Sequence, residues 1–163
     1  RRLREMGATR LVLCCMTVHH LVPRLPEELR ERVVPLPELI LRDLLPPAGR
    51  YLMVCSSGTR AFRLFERHPL WETARDRIVL PHQADQETIH RDLIYPVKRL
   101  VDLDTLTPIL AGLLEKYRAD GFIVGCSEVH VIAKHFLAGE GCGYACVDPF
   151  LAVARGLSRR AAA

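Results

Sequence analysis

The chain has 163 residues and is 49% hydrophobic, which is enough for one sizeable domain or two small ones with a buried core. Its formal net charge of +4 comes partly from arginines near the two ends, and charges of both signs are interspersed elsewhere, so the composition excludes the continuous basic stripe of a nucleic-acid-binding protein. Because no apolar run is long enough to span a bilayer and the first residues lack the apolar stretch of a signal peptide, we expect a cytoplasmic protein that binds neither a membrane nor nucleic acid.

Apolar periodicity and the positions of glycine and proline predict the elements before residue 50. Gly7 is a typical helix stop, Pro23 limits how far a helix can run, and the Pro-Pro-Ala-Gly sequence at 46–49 is the best candidate for a domain boundary. The predicted elements are a helix at 2–6, a strand at 10–14, a strand at 32–35 and a helix at 37–45, whereas residues 17–25 carry apolar residues at mixed spacing and give no defined element.

Beyond residue 50, strands and helices alternate along the chain, which predicts parallel βαβ units and hence an α/β architecture. Gln86, Glu87 and Arg91 are predicted on the polar side of one of these helices. The predicted strands lie at 51–55, 77–80 and 122–125, and the predicted helices at 59–67, 84–93, 106–118, 129–137 and 148–157.

The six cysteines lie mostly inside or at the ends of apolar runs, which is unlike the loop-rich spacing of a disulfide scaffold, so we expect reduced thiols. A cysteine at the end of a buried strand is ordinarily a small core residue. We keep that interpretation for Cys14, Cys55, Cys142 and Cys146.

An internal repeat sets the other two cysteines apart. Residues 7–19 and 119–130 each contain the end of a helix, a strand and then the pattern Cys-x-x-Val-His, with Cys15 and Cys126 as the cysteines. In open parallel sheets, ligands bind beyond the carboxyl ends of the strands, where a helix N-terminus favours a thiolate and a bound carboxylate. Two such thiols on either side of a cleft suit proton removal on one face of a stereocentre and proton delivery on the other.

The residues that follow each cysteine have two interpretations. The hydroxyls of Thr17 and Ser127 are placed to hydrogen-bond a substrate. Glu128 either caps its helix or orients Cys126. His19 and His130, four residues after their cysteines, are interpreted as structural helix residues.

These motifs resemble those of the aspartate/glutamate racemase superfamily from the first residues to about Leu157. Residues 15–19 are similar to the family's Cys-Asn-Thr-x-His loop, and residues 125–128 to its Gly-Cys-Thr/Ser-Glu loop. Between and after these loops, shorter matches are similar to the family's Gly-Thr-Arg segment, its Ile-Tyr helix and its late aspartate, and they lie at 58–60, at 94–95 and at Asp148.

The resemblance implies two pseudo-symmetric α/β lobes without the family's first βα unit, residues 1–47 completed by 138–163 forming the first lobe and 48–137 the second. It implies an amino-acid racemase of aspartate, glutamate or a related amino acid that uses neither pyridoxal phosphate nor a metal and forms a homodimer. Its site residues would be the acid–base pair Cys15 and Cys126, the supporting Glu128, and the substrate-binding Met16, Thr17, Thr59, Ser127 and Lys98. Met16 replaces the family's asparagine, which we expect to make the site less strictly selective for acidic amino acids.

Three alternatives remain open from the sequence. Relatives in the superfamily isomerise maleate, racemise hydantoins or decarboxylate arylmalonates, and a non-catalytic ligand-binding descendant would keep the same fold. A metal-binding module is the alternative from a different class, because cysteine and histidine are zinc ligands. Its ligands would come from Cys14, Cys15, His19, His20, Cys126 and His130, although these lack the paired Cys-x-x-Cys spacing of structural zinc sites.

Overall fold

The computed structural model describes residues 2–139 and 141–161, and its centre is a four-stranded sheet in the order β2-β1-β3-β4. All strand pairs in this sheet are parallel, which confirms the predicted α/β class. The strands are β1 Tyr51–Cys55, β2 Ile78–Val79, β3 Gly121–Gly125 and β4 Ala145–Val147.

Helices cover both faces of the sheet. The α-helices are α1 Arg2–Glu5, α2 Glu27–Arg30, α3 Leu36–Leu39, α4 Ser57–Ala61, α5 Trp71–Ala74, α6 Gln83–Thr88, α7 Tyr95–Lys98, α8 Thr107–Tyr117, α9 Ser127–Ala138 and α10 Pro149–Ala161. Tighter 3₁₀ turns occur at Met16–Arg24, Arg75–Arg77 and Leu103–Thr105, and wider π-helical turns at Ile40–Leu44 and Ile89–Ile94. Among the described residues, no helix is long and apolar enough to cross a membrane.

The two central strands are buried along their whole length because apolar layers cover both of their faces. Side chains alternate along a strand, so Val54 and Val124 pack with α8 and α9 in one layer, whereas Met53 and Ile123 pack with α3 in the other. A continuous apolar run is typical of a parallel strand covered in this way, which is why β1 and the core of β3 could be predicted from sequence.

The close approach of β1 and β3 requires a glycine at position 125. A Cβ at Gly125 would lie 2.4 Å from the Cβ of Cys55 and 2.9 Å from the carbonyl oxygen of Val54, which is closer than atoms can pack. The strands therefore meet tightly where the chain turns into the loop of Cys126.

The segments predicted as strands at 10–14 and 32–35 are extended but join at a single parallel bridge, between Leu11 and Val33. The bridge consists of hydrogen bonds from Leu11 N to the Arg32 carbonyl and from Val34 N to the Leu11 carbonyl. In the described part of the chain no further strand runs beside them, so the ladder does not extend. The prediction of two full strands was wrong for this reason.

Other differences arise from local backbone geometry. The helix predicted at 59–67 ends at Ala61, because the chain turns there and Arg63 has a positive φ of 51°. The helix predicted at 84–93 continues through a π-helical stretch into α7, and Gln86 on its supposed polar side is buried. Strand β4 was not predicted, since only three residues pair and two of them are partly exposed. The division into two lobes stays a prediction.

Candidate active site

Cys126 lies at the point where β3 ends and α9 begins, and its side chain is only 6% exposed. Its thiol donates a hydrogen bond to Oε2 of Glu128 over 2.9 Å. The hydroxyl of Ser127 donates to the same oxygen over 3.0 Å. The carboxylate of Glu128 is therefore bound to the thiol and also to its own backbone N–H in the first turn of the helix, and its role in orienting Cys126 stays a prediction.

The environment of Cys126 favours the neutral thiol. Burial and the hydrogen bond to the Glu128 carboxylate raise the pKa of Cys126 to about 12. The backbone N–H groups of Glu128 and Val129 act in the opposite direction but do not outweigh these effects. From the sequence we expected the helix N-terminus to lower the pKa of this thiol. That expectation was wrong, because the burial of Cys126 and the neighbouring charge of Glu128 raise the pKa and depend on the three-dimensional structure.

Glu128 is the charged group of this cluster. Burial opposes its ionisation, but hydrogen bonds from Cys126, its own backbone N–H and Ser127, together with the charge of Lys98, lower the pKa of Glu128 overall. The Nζ of Lys98, on α7, lies 3.3 Å from Oε1 of Glu128. One oxygen of the Glu128 carboxylate accepts hydrogen bonds from Cys126 and Ser127, and the other lies beside the Lys98 ammonium. Four predicted site residues therefore lie together.

A second cluster consists of three hydroxyls. The side chain of Thr17 lies 3.0 Å from that of Ser56 and 2.9 Å from that of Thr59, and the latter two are 3.2 Å apart. Thr59 is buried, and Ser56 caps α4 by accepting a hydrogen bond from the Thr59 backbone N–H. The sequence analysis missed Ser56 as a site residue, although its place at the N-cap of a helix after a buried strand was a usable signal.

The sheet brings the two clusters to one edge. Cys55 of β1 pairs with Gly125 of β3, so Ser56 and Cys126 begin neighbouring loops at the carboxyl ends of adjacent parallel strands. The Thr17 hydroxyl is within hydrogen-bond distance of Ser56 and Thr59, so it connects the segment after Cys15 to the loop that begins at Ser56. Cys15 itself is exposed and directly precedes the 3₁₀ segment Met16–Arg24.

Met16 does not lie among these polar groups. Its side chain is 1% exposed and belongs to the apolar cluster that also contains Ile40, Met53 and Phe65. Its contact with substrate stays a prediction, and in the structure its side chain packs in the hydrophobic core.

Two further polar residues tie neighbouring elements to this edge. Nδ1 of His130 donates to Oδ2 of Asp148 over 2.6 Å, and the other oxygen of Asp148 accepts from the backbone N–H groups at the start of α10. Nε2 of Gln86 donates to the carbonyl oxygen of Cys55 over 2.8 Å. We predicted His130 to be a structural residue, which agrees with its hydrogen bond to Asp148. No feature of the sequence pointed to the hydrogen bond of Gln86.

All six cysteines fall in the described part of the chain and are free thiols. Cys55 is fully buried, and burial raises the pKa of its thiol well above the usual range. Burial and the nearby Asp148 raise the pKa of Cys146 to about 12, whereas Cys14 and Cys142 are exposed. Within the described ranges, no three His, Cys, Asp or Glu side chains are grouped so that they could hold a metal ion.

Known proteins resemble this chain in structure and not in sequence. No family model matches the chain, and no curated protein matches it. Among solved structures, it is similar to the aspartate racemase of Picrophilus torridus, with a TM-score of 0.75 and 16% sequence identity. The similarity covers 99% of this chain, which spans 65% of that chain. The structural likeness agrees with the resemblance seen in the motifs, and the protein has the fold of that racemase over almost all of the residues compared.

Proposed function

We propose that this protein is a cofactor-independent amino-acid racemase of the aspartate/glutamate racemase superfamily, with Cys15 and Cys126 as its acid–base pair. The observation that carries the proposal is the Cys126 thiol bound to the Glu128 carboxylate at the carboxyl end of β3. Structural likeness to an aspartate racemase supports an isomerase of this kind. Aspartate, glutamate or a related amino acid is the proposed substrate, and a homodimer the proposed assembly.

In the proposed reaction the two thiols have opposite protonation states. The thiolate of Cys15 removes the α-hydrogen as a proton, which leaves the bond's electron pair on the substrate carbon. The Sγ–H bond of Cys126 then breaks as its proton goes to the opposite face of that carbon. Cys15 ends as a thiol and Cys126 as a thiolate, so proton exchange with water must restore the pair before the next turnover.

The surroundings of Cys126 suit the acid in this first direction. A buried thiol whose pKa is raised to about 12 is protonated at neutral pH and ready to donate. Cys15, being exposed, is accessible to the substrate from solvent. In the reverse direction Cys126 must act as the base, and Oε2 of Glu128 is placed to accept its proton.

The hydroxyl cluster and Lys98 supply the groups that would hold the substrate. Thr17 and Thr59 offer donors to a carboxylate, and the Lys98 side chain, which is 53% exposed, offers a positive charge beside Glu128. A charge-assisted hydrogen bond is about twice as strong as a neutral one, so Lys98 is the main proposed anchor for the substrate carboxylate.

The test is a screen of the full-length protein against a panel of L-amino acids, with D-enantiomers quantified by chiral chromatography. Aminooxyacetate, which traps pyridoxal phosphate, and a chelator are added in parallel. The proposal expects D-product from at least one amino acid, unaffected by either additive and absent with Cys126→Ala. Activity that aminooxyacetate or the chelator abolishes would contradict the cofactor-independent mechanism.

A further inference from the structure

A cavity of about 700 Å³ lies apart from both thiols. Its walls come from the segment Met16–Arg24, from residues 35–38 and from residues 62–69, and neither Cys15 nor Cys126 lines it. Cavities of about 300–1,000 Å³ are the size that binds small organic molecules. The proposed racemase mechanism assigns no role to this cavity.

The charged groups of the cavity are mostly positive. Arg24 and Arg67 line it, and among the described residues neither guanidinium has an ion-pair partner. Glu38 also lines the cavity, but its carboxylate is engaged by Arg42 at 2.5 Å. Two cations without a partner facing one neutralised carboxylate favour an anionic ligand.

Two histidines of the wall, His19 and His68, contribute polarity without a further charge. Burial lowers the pKa of both His19 and His68, so these rings are neutral imidazoles at pH values near 7. Nε2 of His19 is already occupied by the carbonyl of Leu13, 3.3 Å away. Arg24 and Arg67 are the lining groups with a permanent positive charge.

The rest of the wall is apolar and stiff. His20 stacks on Phe62 with ring centroids 3.8 Å apart and an angle of 8° between the rings, which joins two of the three walls. Proline has a fixed φ, so a wall rich in proline is shaped before a ligand arrives. The prolines concerned are Pro23, Pro35, Pro37 and Pro69.

We propose that this cavity binds a small organic anion with a flat apolar body, of the arylcarboxylate class. The carboxylate pairs with Arg24 and Arg67, and the apolar body lies against Phe62 and the prolines. The ligand contacts the segment that follows Cys15: Nδ1 of His20 donates to the carbonyl of Thr17 over 2.6 Å, and the Thr17 hydroxyl belongs to the candidate active site. It reaches this segment without touching a thiol.

The experiment compares 1-naphthylacetate with its neutral amide, 1-naphthylacetamide, by saturation-transfer NMR titration of the full chain. We expect saturable binding of the acid and at least about tenfold weaker binding of the amide, the loss that accompanies one hydrogen bond to a charged group. The double variant Arg24→Glu, Arg67→Glu should weaken binding of the acid by at least the same factor. The Cys126→Ala variant should bind it normally, which separates this cavity from the proposed reaction.

The matched control is Arg30→Glu, Arg75→Glu, which makes the same change in net charge at exposed arginines outside the cavity. It should bind the acid as the unmodified chain does, and circular dichroism should show that both double variants are folded. Equal binding of acid and amide, or equal loss in the two double variants, would overturn the proposal. If the Arg24, Arg67 double variant fails to fold, the single variants Arg24→Gln and Arg67→Gln decide the question in the same titration.

Discussion

The thiol of Cys126 lies 2.9 Å from the carboxylate of Glu128, two residues further along the chain, and donates a hydrogen bond to it. This pair gives the candidate site its electrostatic character. The carboxylate keeps its charge because Lys98 and Ser127 also hold it, and the thiol keeps its proton because it is buried beside that charge.

Glu128→Gln should therefore make Cys126 more acidic. The substitution removes the negative charge that helps to raise the pKa of this thiol, while burial continues to hold the pKa above that of an exposed cysteine. The rate of alkylation by iodoacetamide at about pH 8, followed by mass spectrometry of the peptide containing Cys126, should rise. The thiolate fraction increases about tenfold for each unit by which the pKa falls, and the lower nucleophilicity of the thiolate offsets only part of that gain. Ser127→Ala, which keeps the carboxylate, is the control and should change the rate far less. An unchanged or slower rate in Glu128→Gln would contradict this explanation of the raised pKa.

The main effect of Met16→Asn should be a loss of folding stability rather than a change in substrate specificity. The substitution puts an amide without a partner into the apolar cluster that buries Met16, and the loss should be about 3 kcal/mol or more in the free energy of unfolding. Urea denaturation measures it. Val18→Asn, at a half-exposed position of the same segment, is the control and should cost less than about 1 kcal/mol. Similar losses in the two variants would mean that Met16 is not a core residue.

Gly125→Ala and Gly112→Ala should change stability in opposite directions. At position 125 the new methyl group would overlap Cys55 and Val54, and forcing the strands apart should cost about 1–3 kcal/mol or more. At position 112, inside α8, nothing lies within 4 Å of the new methyl group, so better helix propensity should stabilise the protein by about 0.5–1 kcal/mol. Urea denaturation of both variants is the measurement, and a stable Gly125→Ala protein would show that β1 and β3 can separate without penalty.

His19 should make stability depend on pH in the mildly acidic range. Burial lowers its pKa in the folded protein, so between that lowered value and the unfolded value of about 6.5 the unfolded chain binds more protons. The contribution of His19 to the free energy of unfolding is therefore fully present above about pH 6.5. It decreases as the pH falls below that value, by up to about 1.4 kcal/mol per pH unit. His19→Gln, which can still donate to the Leu13 carbonyl, should flatten this part of the curve in urea denaturation at several pH values. An equally steep curve would assign the effect to other groups.

Sequence reasoning worked best where one physical signal dominates. The continuous apolar runs of β1 and β3 are typical of buried parallel strands, and the 3.6-residue periodicity of α8 and α9 placed these helices to within two residues at either end. The repeated Cys-x-x-Val-His pattern at 15–19 and 126–130 singled out Cys126 as a candidate, and the residue types beside it added Ser127 and Glu128.

What failed depends on contacts between distant parts of the chain. Whether residues 10–14 form a strand depends on a neighbouring backbone, and the sequence does not show how many hydrogen bonds that neighbour offers. The buried position of Gln86 depends on the carbonyl of Cys55, 31 residues away. The pKa of Cys126 rises because burial and Glu128 outweigh the backbone N–H groups, and that balance requires three-dimensional geometry.

The central claim, that Cys15 and Cys126 act on opposite faces of one substrate, predicts that both single variants lose racemisation but label opposite enantiomers. In deuterated water, Cys15→Ala and Cys126→Ala of the full-length protein should each lose racemisation by a factor of about 10² to 10⁴, the usual contribution of an acid–base group. Each remaining thiol can still remove and return a proton on its own face, so each variant should exchange the α-hydrogen of one enantiomer, and the two should label opposite enantiomers. Cys14→Ala and Cys142→Ala, at exposed positions, are the controls and should racemise normally.

The most direct measurement is therefore deuterium incorporation at the α-carbon, resolved by enantiomer with chiral chromatography and mass spectrometry, in the Cys15→Ala and Cys126→Ala variants. The two-thiol mechanism predicts label in one enantiomer for the first variant and in its mirror image for the second. Near-normal racemisation by either variant, or label in the same enantiomer for both, would contradict it.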